Sequence, residues 1–226
     1  MKDRITIKLT GVKHETHDVV TLSFTRPFQF TAGQYISVYF DDLPWPEGKA
    51  YSLSSKPSDK HTSITIKNIG GPYSSRLCDM KVGDKLEISQ PYGHFNPQTS
   101  APIVGISAGV GISPIWSVLS HELEQGKDNI HLICSNKTPE DIVFRDEITA
   151  ISDKTKVRHH ITRAEVDEDA NHKNGRINIG EILTEIPREA KFLLCGSVDF
   201  VRSIWRQLVA EGISEKQIST ETFFEQ

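Results

Sequence analysis

APIVGISAGVGISPI, residues Ala101 to Ile115, carries an apolar run of one strand's length into a Ser/Ala/Gly-rich turn. Beyond the turn, Ile115, Trp116, Val118 and Leu119 recur with helical rather than alternating spacing. Strand, tight turn and helix in this order present the N–H groups of a helix N-terminus to a phosphate. The glycines allow a ligand to approach closely, and Ser113 and Pro114 suit the start of a helix. Taken alone, the stretch leaves an ordinary tight turn open as the alternative.

Downstream, the chain keeps alternating between strand and helix. Ile103–Ser107 leads to a helix over Pro114–Gln125, and Ile130–Cys134 to a helix over Thr138–Ala150. In that second helix Glu140 and Asp141 fall in the first turn and favour its dipole. Lys156–Ile161 reads as the next strand, Glu165–Gly175 as a polar loop and Ile179–Glu185 as a short helix. Phe192–Cys195 is a fully apolar strand, Gly196-Ser197 a turn, Val198–Ala210 a helix and Ile218–Phe224 a last strand. This alternation requires crossovers and predicts a mostly parallel sheet covered by helices. The loops after Ser107 and Cys195 then share the carboxyl edge, where such sheets bind ligands. Gly109-Val110-Gly111 departs from the G-x-G-x-x-G spacing, and no G-x-x-x-x-G-K-[ST] sequence supports a nucleoside triphosphatase.

Upstream, to about residue 96, the short apolar segments read as strands: Ile5–Val12, Val19–Phe24, Tyr35–Phe40, Lys49–Ser55, Ser63–Ile69 and Lys85–Gln90. Thr25-Arg26-Pro27, Ala32-Gly33, Asp41–Gly48 and Val82-Gly83-Asp84 punctuate them, and the one helical piece is Ser74–Met80. A small antiparallel barrel fits this pattern, with a sandwich as the alternative. Within KAYSLSS, Lys49 to Ser55, a planar polar ligand with phosphates finds stacking from Tyr51, a hydroxyl from Ser52 and charge from Lys49. An edge strand with a solvated lysine has the same composition. In IKNIGGPYSSRL, Ile66 to Leu77, a strand ends at Gly70-Gly71, Pro72 suits a first helical turn and Ser74 can meet an anion.

The 226 residues suffice for one large or two modest domains; 37% hydrophobic and 25% charged residues describe a folded, soluble chain. No apolar run approaches the roughly 18 residues of a membrane span. MKDRITIKL at the start alternates like a strand rather than a secretory leader. A net charge of −4 without a basic stripe offers nucleic acid no footprint. Three dispersed cysteines, Cys78, Cys134 and Cys195, argue against an all-cysteine iron–sulfur or zinc site and for a cytoplasmic location, and the expected metal set is none. The nine histidines, His159-His160 among them, read as surface or structural groups.

Together the motifs resemble the ferredoxin–NADP(+) reductase superfamily, in particular its compact flavin reductases and oxygenase-reductase modules. The resemblance runs over nearly the whole chain. It implies a six-stranded antiparallel Greek-key β-barrel binding flavin over residues 1–98. A Rossmann-like parallel sheet covered by helices, binding NAD(P), would follow over 99–226. KAYSLSS stands for the family's R-x-Y-S-x-x-S motif. By that comparison Tyr51 packs on the isoalloxazine, Ser52 lies at its N5 edge, and Leu53 and Ser54 continue the ring or ribityl contact. Lys49 replaces the phosphate-binding arginine, keeping charge without the bidentate fork. GGPYSSRL resembles G-G-x-x-S-x-x-L, placing Gly71, Pro72, Tyr73 and Ser74 around the phosphates and Ile66, Lys67, Asn68 and Ile69 beside the flavin tail.

PYGHF, Pro91 to Phe95, resembles the G-P-x-G-x-F junction with Gln90 in its first position. Ala108-Gly109-Val110-Gly111-Ile112-Ser113-Pro114 resembles the pyridine-nucleotide loop G-G-x-G-[IL]-[ST]-P, with alanine in the first glycine position. Cys195-Gly196-Ser197 resembles C-G-P/S, which puts Cys195 at the nicotinamide–flavin contact and Gly196 under the dinucleotide. TPEDIVFRDE, Thr138 to Glu147, also looks familial, with Ser135, Asn136 and Lys137 nearest the adenosine ribose. Glu221-Thr222-Phe223-Phe224 resembles the C-terminal segment, where Glu221 or Phe223 borders the flavin.

The implied activity is a flavin-dependent NAD(P)H oxidoreductase, with hydride passing from nicotinamide C4 to flavin N5. Ser52 and Cys195 are its catalytic residues. FAD is the expected cofactor, FMN its alternative, and NADH or NADPH the co-substrate. Ferredoxin, an oxygenase component or another acceptor protein takes the electrons. A free-flavin reductase and a non-catalytic flavin-binding regulatory subunit are the other readings.

Overall fold

β1 (Ile5–His14) buries Ile7 and Leu9 and exposes Thr6, Lys8 and Thr10, the period-two pattern of a strand with one covered face. The computed structural model, which describes residues 4–45 and 47–223, continues with β2 (Val19–Thr25), β3 (Tyr35–Tyr39), β4 (Lys49–Ser52) and β5 (His61–Lys67). Helix α1 (Pro72–Asp79) and β6 (Lys85–Ile88) complete this half. The strands form one antiparallel sheet in the order β4-β3-β6-β1-β2-β5. Leu22, Phe24, Ile36, Val38, Ile64 and Ile88 fill its inner face, with Leu77 of α1 packed among them.

The strand expected over Lys49–Ser55 ends at Ser52, because the backbone changes partner there. Leu53 N–H donates to the Gln34 carbonyl at 2.8 Å, while Ser54 N–H donates to the Ser63 carbonyl at 2.8 Å, next to a bridge between Leu53 and Ile64. The helix expected from Ser74 begins instead at Pro72, whose missing N–H suits the first position.

The second half contains β7 (Ile103–Ala108), α2 (Ile112–Glu124), β8 (Ile130–Asn136), α3 (Arg145–Ile151), β9 (Lys156–Ile161) and β10 (His172–Asn174). α4 (Ile179–Ile182), β11 (Lys191–Ser197), α5 (Val198–Ala210) and β12 (Ile218–Phe223) follow. The sheet is parallel throughout, in the order β10-β9-β8-β7-β11-β12. Its central strands are apolar on both faces because both are covered. Leu193 and Cys195 belong to the core under α2, whereas Phe192 and Leu194 belong to the core under α4 and α5.

Several expected elements differ. The helix over Thr138–Ala150 is broken: a 3-10 turn at Pro139–Asp141 precedes α3, with Phe144 between them at φ 58°. Ile142, Val143 and Phe144 are all buried, and three consecutive apolar side chains cannot share one helix face. The loop Glu165–Gly175 contains β10, which pairs with β9 from His172 to Asn174. The short helix over Ile179–Glu185 covers only Ile179–Ile182. His159 and His160 are buried, which leaves the structural one of the two readings for that pair; desolvation pushes His159 down to about 4 and keeps it neutral near pH 7. Met1–Asp3 of the expected first strand region, Pro46 of the Asp41–Gly48 turn and Phe224 lie outside the described residues.

The two domains share a packed boundary. Val19, Ala32 and Phe95 of the first half join Ile115 and Val118 of α2 in one apolar cluster. At its centre the fully buried Ser117 hydroxyl donates to the Ser55 carbonyl at 2.6 Å and accepts from Gly33 N–H at 3.3 Å. α2 is thereby fixed to the chain just beyond β4. Ser117→Ala strands both backbone groups and is expected to cost about 2 kcal/mol. A denaturant titration checks this; an unchanged midpoint contradicts it.

Candidate functional site

From β7 the chain steps outward through β8, β9 and β10, then returns to the other side of β7 with β11. This reversal opens a crevice at the carboxyl ends of β7 and β11. Gly109–Gly111 forms a 3-10 turn there and runs directly into α2. Gly111 is pressed against the neighbouring strand: a Cβ on it would lie 2.3 Å from the Cys195 carbonyl oxygen and 2.8 Å from the Gly196 nitrogen. Its lack of a side chain therefore serves loop packing. Gly109 differs, with φ 50° and nothing within 4 Å of where a Cβ would stand. The Ala108 methyl points at β11, 3.1 Å from where a Gly196 Cβ would be.

The two helix N-termini at this edge are not equivalent. No side chain caps α2, and Ser113 Oγ donates backward to the Val110 carbonyl at 2.8 Å. At α5 the Ser197 hydroxyl already accepts from Phe200 N–H at 3.4 Å. An anion in the crevice thus meets an uncapped N-terminus on α2, with Val110 and Ile112 flanking the turn.

The end of β4 in the first domain meets β12 of the second. Ser52 is buried, and its hydroxyl donates to Glu221 Oε2 at 3.2 Å. Glu221 stands opposite Cys195 in the β11–β12 register, and Phe223 opposite Ser197. Ser52, Cys195 and Glu221 therefore converge from three strands. Burial pushes the Glu221 carboxyl up to about 7, partly opposed by the Ser52 hydrogen bond. Burial and the adjacent Glu221 push the Cys195 thiol well above its ordinary range, so it is a neutral thiol near pH 7. Beside them Tyr51 is half-buried against the first core, and burial raises its phenol.

The Glu221 shift has a stability consequence. A carboxyl raised from 4.5 to about 7 stabilises the fold in its protonated form, fully below pH 4.5, and loses that advantage as pH rises through 7. Between about pH 4 and about pH 8 the flavin-free protein is expected to lose about 3 kcal/mol through this group. Glu221→Gln should flatten that slope in denaturant titrations; an unaltered slope contradicts the assignment.

Lys49 Nζ lies 3.9 Å from the centre of the Trp45 ring and 5.9 Å from that of Tyr73. Next to it Gly71 begins α1 without a side-chain cap, and nothing stands within 4 Å of a Cβ on Gly70. Ser74 Oγ is used locally, donating to the Gly71 carbonyl at 3.1 Å and accepting from Ile69 N–H at 3.3 Å.

The side chains of Leu53, Ile66 and Tyr73 are buried in the first core, and Ser54 Oγ is bonded to Ser63 and Thr65. The expected flavin contacts of these four narrow to their backbone. Lys67 pairs with Asp18 at 2.9 Å, and Asn68 Oδ1 accepts from Gly70 N–H and Ser75, whereas Pro72 and the exposed Ile69 border the open turn.

At the far end of the crevice Ser135 lies beside Ala108 in register. The Lys137 carbonyl accepts from Arg163 N–H at 2.8 Å, bringing a second cationic residue to this edge. A separate depression of about 740 Å³ at the amino edge, lined by His131, Lys156 and Glu185 among others, lies at the opposite end of the strands.

Sequence reasoning set Glu221 beside the flavin only as one of two choices and missed its bond to Ser52. Only the topology joins positions so far apart in the chain. Trp45 was missed too; its only signal was an aromatic in the Pro-rich LPWPEG linker, Leu43 to Gly48.

Two family models match in succession: the oxidoreductase FAD-binding domain over residues 6–96 and the oxidoreductase NAD-binding domain over 106–206. A flavohemoprotein of Bacillus cereus (strain ATCC 10987 / NRS 248) is 29% identical over 93% of this chain. The chain spans 59% of that relative's length, about three fifths. Among solved structures, the FAD/NAD-binding domain of a nitric oxide dioxygenase from Vibrio cholerae superposes with a TM-score of 0.84 at 24% identity, covering 99% of both chains. A ferredoxin NADP+ reductase from Neisseria gonorrhoeae, with bound FAD and NADP, gives 0.82 at 25% identity, covering 99% of this chain and 100% of that one. With an FAD-binding domain followed by an NAD-binding domain on this pair of sheets, the chain has the flavin reductase architecture of the ferredoxin–NADP(+) reductase superfamily.

Proposed function

We propose that the protein is an NAD(P)H-dependent flavoprotein reductase that holds FAD between its domains and passes electrons to a protein or small-molecule acceptor. The observation that carries this reading is the part-buried Ser52–Glu221 bond, formed across the domains beside Cys195 at the reversal of strand order. FAD, when bound, supplies the two-electron chemistry, accepting hydride from the nicotinamide and releasing electrons to the acceptor.

The residues present fit that group. Tyr51 offers an aromatic face, Ser52 a hydroxyl for the ring edge, and Lys49 with the N–H groups of Gly71, Tyr73 and Ser74 a cationic, donor-rich place for phosphates. The uncapped start of α2 with the open backbone at Gly109 suits the nucleotide pyrophosphate. Gly196 floors the dinucleotide; Ser135 and Lys137 lie toward its ribose. Hydride transfer takes no proton from the protein; Glu221, which titrates near neutrality, can take up through Ser52 Oγ the proton set free when electrons leave for the acceptor, while neutral Cys195 and Phe223 pack the contact and exclude water.

In this account residues 1–98 form the flavin domain and 99–226 the nucleotide domain. The Leu53–Ile64 bridge supports closure of the first sheet into a Greek-key barrel. No helix among the described residues is long and apolar enough to cross a membrane, and the three free cysteines suit a reducing cytoplasm. A ferredoxin or an oxygenase component has the chemistry of an acceptor. Protein reconstituted with FAD is expected to turn over NADH or NADPH with ferricyanide as acceptor. No turnover with either nucleotide overturns the reading.

A further inference from the structure

Trp45 is an indole that the fold holds outward. It is 37% exposed, one of few large apolar side chains so placed among the described residues. Its backbone lies at φ 69°, a left-handed conformation that bulky residues rarely adopt. Two hydrogen bonds to its carbonyl secure that conformation, from the Tyr73 hydroxyl at 3.0 Å and from Gly48 N–H at 2.9 Å. The Trp45 and Tyr73 rings meet edge to face at 6.5 Å, and Lys49 Nζ rests 3.9 Å from the indole centre. An aromatic surface is thus joined to a fixed cation and, through Tyr73, to the first turn of α1.

We propose that Trp45 is the stacking platform for the adenine of FAD and makes the site select FAD over FMN. The inference rests on the flavin reading above and adds a subsite to it. In the AMP half of FAD a single ribose separates the phosphate from a planar base. The matching chemistry here is Lys49 with the α1 amides for the phosphates and an exposed indole beside them for the base. FMN carries the phosphate without the base, so it can use Lys49 and α1 but gains nothing from Trp45.

Equilibrium titration of flavin-free protein with FAD and with FMN, read by flavin fluorescence, tests this. The wild type is expected to bind FAD roughly tenfold or more tightly than FMN, and Trp45→Ala to weaken FAD roughly tenfold while FMN changes less than about twofold. Trp45→Phe, which keeps a stacking ring, should stay within about threefold of wild type for FAD. Trp45→Leu keeps apolar bulk without the ring and should behave like the alanine variant, so it decides the matter if alanine impairs folding. Equal weakening of both flavins would mean that the indole merely supports Lys49 and would overturn the proposal. Unchanged FAD affinity in the leucine variant, or equal wild-type affinity for the two flavins, would overturn it as well. Wild type that binds neither flavin would instead sink the underlying flavin reading.

Discussion

Alanine at position 111 is expected to destabilise the protein by about 4 kcal/mol, the largest effect of any single methyl group added in the crevice. The atoms it meets are backbone, the Cys195 carbonyl at 2.3 Å and carbon at 2.6 Å, and backbone in a parallel sheet cannot swing aside as a side chain can. The clash would separate the β7–α2 turn from the end of β11, the two loops that form the crevice. Gly109→Ala provides the contrast. It meets no atom within 4 Å, so its cost is the left-handed backbone alone, about 1 kcal/mol. Its methyl group, however, would stand where the nucleotide is proposed to lie, so it should weaken nucleotide binding more than stability. Denaturant midpoints of the two variants separate these cases, and equal losses would contradict the packing of Gly111 on Cys195.

Ser52→Ala and Glu221→Gln are each expected to slow NAD(P)H oxidation roughly 100-fold, with the double variant little worse than either. The two groups share one hydrogen bond at 3.2 Å and in this account one proton path, so removing the second adds little once the first is gone. The pH profile gives an independent reading. The Glu221 carboxyl, held up to about 7 by burial, carries its proton below that pH and loses it above. Oxidation of NAD(P)H with its electrons passed to an acceptor releases a proton, so turnover limited by uptake of that proton at Glu221 should rise as pH rises through 7, and Glu221→Gln should remove that limb. Additive losses in the double variant, or a limb that survives Glu221→Gln, would contradict the shared path.

The change of rhythm near residue 100 made the two-domain plan legible, because period-two patterning before it and strand–helix alternation after it are local properties of the chain. The broken helix at Ile142–Phe144 was less legible: the apolar run fits either a helix or an extended turn, and only its burial on the sheet decides. β10 was hidden for a similar reason, since a three-residue polar strand takes its identity from pairing with β9. The residues of the candidate site stood out where they occur in short motifs, as at Lys49–Ser52 and Ala108–Gly111. Which atoms those motifs present to the crevice did not. Leu53, Ser54 and Tyr73 sit inside the flavin-like motifs yet turn their side chains into the protein, while the C-terminal motif left Glu221 and Phe223 as alternatives and Trp45 enters from a segment with no comparable pattern.

In the proposed reaction this chain brings a pyridine nucleotide and a flavin face to face and two electrons pass between them. Anaerobic mixing of FAD-loaded protein with NADH or NADPH, followed at the flavin absorption band, reads that event without any acceptor. The band is expected to bleach with at least one of the two nucleotides and to return on admission of an oxidant. A band that persists with both nucleotides, on protein shown to hold FAD, would contradict it and leave a flavin-binding subunit without reductase chemistry.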